Sequence, residues 1–380
     1  MKDIIKVGVA GTGFIGPVHI EAVRRLGNTD VIALCESTQA LAEEKARAFG
    51  VPTAYGEYDE MLKNTGIDVI HICTPNHLHY EMSKKALEAG KHVVCEKPLS
   101  MNSKEGRELA EIAQRSGLVC AVNLNCRAYP IVQQIKAMVS RGDLGTIYAI
   151  NGSYQQDWLF LETDYNWRLE KQFSGESRAV ADIGSHWFDT VESITGLRVE
   201  KVFADFATFH KTRKKPLKPL ETYSGKLLAA EDYADMPIDT EDYATVLLRF
   251  SGGAHGSFTA NQVAAGRKNR MYFEIYGSKC SVGFDSELPN QLWIGRREGA
   301  NEIMLKDPSL LYHEAAEYNS YPGGHNEGYA DTVKHTMIRV YNAIAGVKDQ
   351  IYPTFQDGLR ELILCEAIVE SAGKEQWVKI

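Results

Sequence analysis

No stretch of this 380-residue sequence approaches the ~20 consecutive apolar residues that a bilayer-spanning helix needs. The opening residues, MKDIIKVGVAG, lead within a few positions into a strand-like run and carry no cleavable signal pattern. An excess of positive charge is also missing, because 42 Lys and Arg residues face 50 Asp and Glu residues. We therefore expect neither insertion into a membrane nor binding to nucleic acid.

Cysteine is scarce, and no two of the seven residues form a C-x-x-C pair. Several, such as Cys73 and Cys95, lie inside apolar runs, where a reduced thiol acts as a small core hydrophobe. Zinc signatures such as H-E-x-x-H are absent as well. These patterns predict a cytoplasmic protein with reduced thiols and no bound metal.

A short basic cluster, KTRKKPLKP, opens a segment at residues 211–237 that is rich in charge and proline. Proline interrupts the cluster, acidic residues follow it, and no aromatic side chains alternate with its charges to stack on bases. We interpret the segment as a solvated excursion from the main fold rather than a nucleic-acid site.

The first third of the chain alternates β-rich apolar runs with amphipathic segments. The runs lie at residues 4–10, 31–35, 69–73, 92–95 and 118–122. The amphipathic segments lie near residues 15–26, 39–49, 57–64, 78–89 and 103–116. Such alternation is typical of a doubly wound α/β domain, with a parallel sheet covered on both faces. We place this Rossmann domain at residues 1–125.

The rest of the sequence, residues 126–380, has a different texture. A helical pattern at 131–140 is followed by long strand-like stretches at 146–156, 199–210, 243–250, 255–263 and 270–276. Further helical patterns lie at 185–195, 325–345 and 356–372. Because helical crossovers between the strands are mostly missing, we predict a second α/β domain with a large, mainly antiparallel open sheet.

A glycine-rich turn joins the first predicted strand to the first predicted helix. Gly11, Gly13 and Gly16 form a G-x-G-x-x-G motif, with Phe14 and Ile15 between the last two glycines. The first glycine permits the tight turn, the second lets the backbone approach a pyrophosphate, and the third lets helix pack on strand. In this context the motif predicts a dinucleotide site at a helix N-terminus.

An acidic residue follows at the spacing that such sites use. Glu36 comes twenty residues after Gly16, at the end of the second predicted strand. A carboxylate there accepts hydrogen bonds from the adenosine ribose hydroxyls and repels a 2′-phosphate. No arginine follows within several residues. The sequence therefore favours NAD over NADP.

Three further motifs carry a resemblance to a known family. TPNHLH lies at residues 74–79, EKP at 96–98 and DIGSHWFD at 182–189. Together with the glycine motif, they resemble the Gfo/Idh/MocA oxidoreductases, and the likeness spans essentially the whole chain. It implies a Rossmann domain, a second domain whose open sheet often makes oligomer contacts, and hence a homodimer or homotetramer.

The resemblance also implies roles for individual residues. Lys97 would hydrogen-bond the reacting oxygen and stabilise developing alkoxide charge, and Glu96 would touch the nicotinamide ribose. A cis bond before Pro98 would aim Lys97. We assign His186 as general base in oxidation and general acid in reduction, because its ordinary pKa is close to neutral. Asp182 would orient Lys97 or His186, or bind a neighbouring hydroxyl.

Residues of the TPNHLH motif are the remaining cofactor candidates: Thr74, Asn76 and His79. For His79 two interpretations stay open, a contact on the cofactor side of the cleft and a place at the start of a helix. His71, inside an apolar strand, is interpreted as a packed core residue.

Substrate candidates cluster in the aromatic-rich segment 157–168. Trp167 offers a face for the C–H side of a sugar ring, and Arg168 can bind several oxygens at once. Asn125 and Arg127 are secondary candidates. His325 either reaches the substrate or caps the helix that follows it.

These features favour an NAD-dependent dehydrogenase that reversibly oxidises a secondary hydroxyl of a sugar, glycoside or inositol-like polyol to a ketone. Two alternatives are a glycoside hydrolase with tightly bound NAD, which acts through transient oxidation, and an NAD-binding regulator without turnover. The presence of Lys97 and His186 speaks against the regulator. The particular substrate, its hydroxyl and the physiological direction are left open.

Overall fold

A computed structural model describes residues 4–217 and 229–380, which fall into two compact units. The first unit holds the described residues up to Asn125 together with Ala330–Leu362. The second unit holds Cys126–Tyr329 together with Ile363–Ile380. The chain therefore leaves the first unit after Asn125 and returns to it near its end.

A parallel sheet of six strands forms the centre of the first unit. The strands are β1 (Ile5–Ala10), β2 (Thr29–Cys35), β3 (Thr53–Tyr55), β4 (Val69–Ile72), β5 (His92–Cys95) and β6 (Cys120–Val122). The helices between them are α1 (Ile15–Arg24), α2 (Gln39–Phe49), α3 (Tyr58–Leu62), α4 (His79–Glu88) and α5 (Ser103–Ser116). The strand order β3-β2-β1-β4-β5-β6 confirms the predicted doubly wound fold; the short β3 was not predicted.

Local sequence explains these elements. All residues of β4 are buried, and all of β1 except Lys6, because helices cover both faces of the sheet. Thr38 caps α2 by accepting a hydrogen bond from the Leu41 N–H, and Gly50 ends the helix at φ 62°.

The second unit is built on a mixed sheet of nine strands. Its helices are α6 (Pro130–Ser140), α7 (Lys171–Ser174), α8 (Ser185–Thr195) and α9 (His313–Ala316). The strands of the unit, which include a pair outside this sheet, β9 and β10, are β7 (Ile147–Gln155), β8 (Val199–Ala207), β9 (Thr212–Pro216), β10 (Tyr233–Pro237), β11 (Tyr243–Phe250), β12 (His255–Asn261), β13 (Arg270–Gly277), β14 (Ser281–Asp285), β15 (Gln291–Gly295), β16 (Glu302–Leu305) and β17 (Val378–Lys379).

The large sheet has the order β16-β15-β14-β13-β7-β12-β11-β8-β17. Every neighbouring pair is antiparallel except β7 and β12, so the predicted mainly antiparallel sheet is confirmed. Strands β9 and β10 form a separate two-stranded ribbon within the predicted excursion at residues 211–237. Lys218 and Pro219 of the basic cluster lie outside the described residues.

Aromatic side chains fill the core between α8 and the sheet. Trp187 is fully buried against Phe188 and Phe258, and its indole Nε1 donates to the Tyr272 carbonyl at 3.0 Å. A Cβ at Gly152 would lie 2.3 Å from Trp187 Nε1. Only glycine therefore lets β7 pass under this indole.

The helix that carries α8 begins earlier than expected. The sequence predicts a helix over residues 185–195, but Val180–Gly184 already forms a π-helical turn that runs directly into α8. The cause is a distant cap: Glu241 Oε1 accepts from the backbone N–H groups of Arg178 and Val180, at 2.9 and 3.0 Å. Since Glu241 lies some sixty residues further along the chain, no local pattern indicates this start.

Two long helices, α10 (Tyr329–Ile344) and α11 (Phe355–Lys374), lie between β16 and β17 in the chain. Val333, Met337, Val340 and Tyr341 of α10 are buried in the core of the first unit. We predicted one second domain at residues 126–380, whereas in the structure residues 330–362 belong to the first unit. An amphipathic face alone does not reveal which of two cores it joins.

All seven cysteines are buried, and each is a free thiol. In the part of the chain that the structure describes, no helix is long and apolar enough to cross a membrane.

Candidate active site

The glycine loop joins β1 to α1, and each glycine meets a different constraint. Gly11 has φ 85°, and a Cβ there would lie 2.8 Å from the Cys73 carbonyl oxygen. A Cβ at Gly16 would lie 2.2 Å from the Gly11 carbonyl oxygen. Gly13 has nothing within 4 Å of its Cβ position, so its backbone is open to an approaching ligand. Phe14 and Ile15 lead into α1. The loop thus has the shape that a pyrophosphate requires.

Glu36 follows the end of β2 and faces this loop. Its Oε1 accepts hydrogen bonds from both the backbone N–H and the hydroxyl of Thr12. The carboxylate therefore lies beside the glycine turn, where an adenosine ribose would be read. Thr12 is a contact that sequence reasoning missed, although it lies inside the glycine motif.

The loop after β4 is tied to the loop after β5 by His79. Its Nδ1 lies 2.6 Å from the Pro98 carbonyl oxygen, and its Nε2 lies 2.8 Å from that of Thr74. The ring is buried at the start of α4, and burial lowers its pKa, although both carbonyl contacts raise it. Of the two interpretations of His79, the structure places it at the helix start, holding two loops together. Asn76, which is buried, begins a 3₁₀ turn just before it.

Glu96 and Lys97 follow β5, and the peptide bond between Lys97 and Pro98 is cis, as the resemblance implies. Glu96 is buried, while Lys97 is half-buried. Burial alone would raise the pKa of Glu96, but hydrogen bonds from His19 and Asn123 and the charge of Lys97 outweigh it. Together they lower the pKa to about 2. Glu96 is therefore a carboxylate over the whole physiological pH range.

In the second unit, Asp182 is the centre of a polar cluster. Arg168 Nε donates to Asp182 Oδ1 at 3.1 Å, and the guanidinium lies 4.4 Å from the centre of the Trp167 ring. Gln262 Nε2 donates to Asp182 Oδ2, also at 3.1 Å. The structure thus brings together three of the predicted substrate residues, and it adds Gln262, which sequence reasoning missed.

The amide of Gln262 has a fixed orientation. Its Oε1 accepts from Arg178 Nη1 at 3.0 Å, so its Nε2 must be the end that faces Asp182. Arg178 is itself fully buried with Arg213 around the carboxylate of Asp242. Asp182 is therefore connected through Gln262 to a buried ionic group rather than to a mobile surface side chain.

His186 lies in the first turn of α8, four residues after Asp182. Its half-buried ring is 6.2 Å from that of Tyr154, which is buried on β7. Burial, with a smaller contribution from the Asp182 carboxylate, raises the pKa of Tyr154 well above its usual value. Tyr154 thus keeps its proton near His186, and no sequence pattern singled it out.

The two secondary substrate candidates have protein partners of their own. Arg127 binds the buried carboxylate of Asp189 through both Nε and Nη2. Asn125 donates to the hydroxyl of Thr332 at 2.6 Å within the first unit. These contacts assign both side chains a structural task, and substrate binding by them stays a prediction.

His325 lies in an exposed turn before α10, not in the helix that we predicted from residue 325. A buried ion pair between Lys306 and Glu327 holds this turn, and Lys306 Nζ also donates to the His325 carbonyl at 2.9 Å. Its contact with substrate stays a prediction. Among the described residues, no group of three or more His, Cys, Asp or Glu side chains is arranged to hold a metal ion.

The chain matches known proteins in both sequence and fold. Residues 5–124 match the oxidoreductase family with an NAD-binding Rossmann fold, and residues 132–283 match the GFO/IDH/MocA C-terminal domain. The chain belongs to the Gfo/Idh/MocA family. The predictions of family, fold class, NAD as cofactor and oxidoreductase activity are therefore confirmed.

Similar members of the family include a levoglucosan dehydrogenase from Pseudarthrobacter phenanthrenivorans, 31% identical over 99% of this chain and 98% of the relative. A solved levoglucosan dehydrogenase in complex with NADH and L-sorbose superposes with a TM-score of 0.90, at 29% identity, over 100% of this chain and 99% of that one. An inositol dehydrogenase homologue from Azotobacter vinelandii, complexed with NAD+, shares the fold with a TM-score of 0.88, at 24% identity, over 100% and 98% of the two chains.

Proposed function

We propose that this family member is an NAD-dependent dehydrogenase that reversibly oxidises one secondary hydroxyl of a sugar, glycoside or cyclic polyol to a ketone. The observation that carries the proposal is the cluster of Trp167, Arg168 and Asp182 in the second unit. It combines an aromatic face, a multidentate donor and an acceptor, which are the groups that a polyhydroxylated ring needs.

An anhydrosugar is the first substrate to test. The 31% identical relative is a levoglucosan dehydrogenase, and its similarity to this chain extends over both units. Free aldoses, glucosides and inositols offer the same vicinal hydroxyls to Asp182 and Arg168, so they complete the panel.

The residues of each unit supply different parts of the reaction. Bound NAD+ supplies the hydride acceptor at nicotinamide C4. Lys97 donates a hydrogen bond to the reacting oxygen and stabilises it as the C–H bond breaks. His186 accepts the hydroxyl proton, and Asp182 orients His186 or binds the neighbouring hydroxyl. Carbon thus loses a hydride and oxygen loses a proton, which leaves a ketone.

Backbone and polar groups of the first unit hold the cofactor. Gly11, Gly13 and the start of α1 bind the pyrophosphate, and Glu36 binds the adenosine ribose and disfavours NADP. Glu96 binds the nicotinamide ribose, with Thr74 and Asn76 beside it.

We further propose a cytoplasmic homodimer or homotetramer. The seven buried free thiols suit a reducing compartment. Leu247 and Trp377, partly exposed in the second unit, offer apolar surface that a second copy would cover. Size-exclusion chromatography with light scattering tests the assembly, and a monomer would contradict it.

The experiment that tests the function measures absorbance of reduced nicotinamide after NAD+ is added with each member of the panel. A rise with levoglucosan or another member, lost in Lys97→Ala, supports the proposal. NADP+ serves as the cofactor control. Binding of NADH without a rise for any member would contradict the dehydrogenase and leave the NAD-dependent hydrolase or the regulator.

A further inference from the structure

A continuous hydrogen-bonded chain of four side chains lies beneath the cofactor loops of the first unit. The Tyr341 hydroxyl lies 2.8 Å from His71 Nε2, and His71 Nδ1 lies 2.8 Å from His19 Nδ1. His19 Nε2 then lies 2.9 Å from Glu96 Oε1. Asn123 Nδ2 donates to the same oxygen at 2.6 Å. Residues from α10, β4 and α1 thus converge on the carboxylate that follows β5.

Burying these hydrogen-bonded side chains costs more free energy than burying apolar side chains of similar size. His19 and His71 are 0% exposed, and Tyr341 is 1% exposed. Buried imidazole and hydroxyl groups are tolerated only when every one of them is hydrogen-bonded, and apolar side chains of similar size would fill the same space without that cost. The interpretation of His71 as a packed core residue therefore describes its burial but not its partners.

The end of the chain fixes where its protons lie. An ionised carboxylate only accepts hydrogen bonds, so His19 Nε2 must donate to Glu96. In a neutral ring, His19 Nδ1 is then the acceptor, and His71 Nδ1 donates to it. His71 Nε2 in turn accepts from the Tyr341 hydroxyl. Burial, followed by the influence of His19, lowers the pKa of His71 well below its usual value, which keeps that ring neutral.

The two oxygens of Glu96 are used differently. Oε1 accepts from His19 and Asn123, whereas Oε2 accepts, among the described residues, only the Lys97 backbone N–H at 3.2 Å. The carboxylate is therefore anchored through one oxygen, while the other keeps lone pairs for a hydroxyl donor.

We propose that His19, supported by His71 and Tyr341, is a positioning residue that holds Glu96 ionised and oriented to receive the nicotinamide ribose hydroxyls. This inference rests on the proposed contact between Glu96 and the cofactor. His19 itself touches no cofactor atom in this proposal, because its Nε2 and Nδ1 are both committed to protein partners.

Removing His19 has a consequence that a purely structural residue would not have. The remaining groups whose charges act on Glu96, or on which it acts, are Lys97, His79, Cys73 and Cys95. Of these, only Lys97 lowers the pKa of Glu96 through its charge. Burial raises the pKa of Glu96 and the His19 hydrogen bond lowers it, so the pKa of Glu96 should rise when this hydrogen bond is removed. Cofactor affinity should then fall as the pH is lowered, because a protonated Glu96 is a weaker acceptor.

The experiment measures the dissociation constant of NADH by nicotinamide fluorescence from neutral to acidic pH. We expect His19→Leu to weaken binding about tenfold at neutral pH, and more at acidic pH, since a hydrogen bond to a charged group is lost. His19→Gln, whose amide nitrogen can replace Nε2 as donor, should bind nearly as the wild type does. Val333→Ala, a buried residue of α10 outside the chain, controls for loss of stability and should leave the affinity unchanged.

Two outcomes separate this inference from the function on which it rests. If Glu96→Ala weakens NADH binding but His19→Leu does not, the positioning role is wrong and the Glu96 contact stands. If Glu96→Ala binds NADH as the wild type does, the Glu96 contact fails and the inference falls with it.

The apo protein offers a second measurement, which applies even if His19→Leu does not fold. Nitrogen-15 shifts of the imidazole rings should show a proton on His19 Nε2 and on His71 Nδ1, with Tyr341→Phe leaving the His19 proton in place. A proton on His19 Nδ1 together with a bare Nε2 would overturn the proposal.

Discussion

Gln262 donates its side-chain Nε2 to Asp182 Oδ2 at 3.1 Å, and Arg178 dictates which end of the amide makes this contact. The bond joins a strand terminus to a helix start within the second unit. Arg168 Nε donates to the other oxygen, Oδ1, so both oxygens of Asp182 accept a hydrogen bond from a side chain of this unit. Asp182 is thereby prepared to act as a hydrogen-bond acceptor rather than a proton donor.

Replacing Gln262 should affect substrate more than cofactor. We expect Gln262→Ala to lower kcat/KM for the sugar about tenfold, mainly through KM, because Asp182 loses one of its restraints. NADH affinity should stay unchanged. Steady-state kinetics with fluorescence titration measures both, and Gln291→Ala, at an exposed position of β15, is the matched control. An equal loss in both variants would contradict the assignment.

Lys97 should act on chemistry rather than on cofactor binding. We expect Lys97→Ala to lower kcat by about a hundredfold to a thousandfold, since a charged donor to the developing alkoxide is removed. The dissociation constant of NADH should change little. Lys104→Ala, exposed on α5, is the control. Turnover close to that of the wild type would remove Lys97 from the mechanism.

Glu36 should determine the choice between NAD and NADP. Glu36→Ala removes a negative charge beside the glycine loop, so we expect the preference for NAD over NADP to fall about tenfold. The ratio of kcat/KM for the two cofactors measures it, with Glu44→Ala on α2 as an exposed control. If the ratio stays the same, another group reads the ribose.

Local motifs made part of this site predictable from sequence. Gly11, Gly13 and Gly16 lie in one turn, and Glu96 and Lys97 follow one strand, so the places of these residues in the fold could be predicted from the local sequence. The parallel and the antiparallel sheet could both be predicted from sequence. Strands that are buried on both faces have continuous apolar runs, whereas strands that are buried on one face alternate apolar and polar residues.

Contacts between distant segments were not predictable in this way. Gln262 meets Asp182 across 80 residues, and His71 meets Tyr341 across 270. Each of these residues alone is an ordinary polar side chain in the sequence. Arg127 likewise binds Asp189, 62 residues away, a partner that its neighbours in the sequence do not indicate. Periodicity records burial along one element, whereas partners depend on how the chain folds back.

The last prediction concerns the buried ionic group behind Gln262. Asp242 accepts from Arg178 and Arg213, and all three side chains are 0% exposed. Burial alone would raise the pKa of Asp242, but the two guanidinium groups outweigh it and hold the pKa below its ordinary value. A group whose pKa is lower in the folded state stabilises the fold at neutral pH, and this stabilisation is lost as the pH falls through the folded pKa.

We therefore expect Asp242→Asn to lower the free energy of unfolding by about 3–5 kcal/mol at neutral pH, because two buried cations lose their counter-charge. The difference from the wild type should shrink toward strongly acidic pH, where the wild-type carboxyl is itself protonated. Denaturant unfolding at a series of pH values measures it, and Asp235→Asn, in the exposed pair with Lys214, should change little. A difference that stays constant with pH would show that Asp242 stabilises the fold by shape and hydrogen bonding rather than by charge.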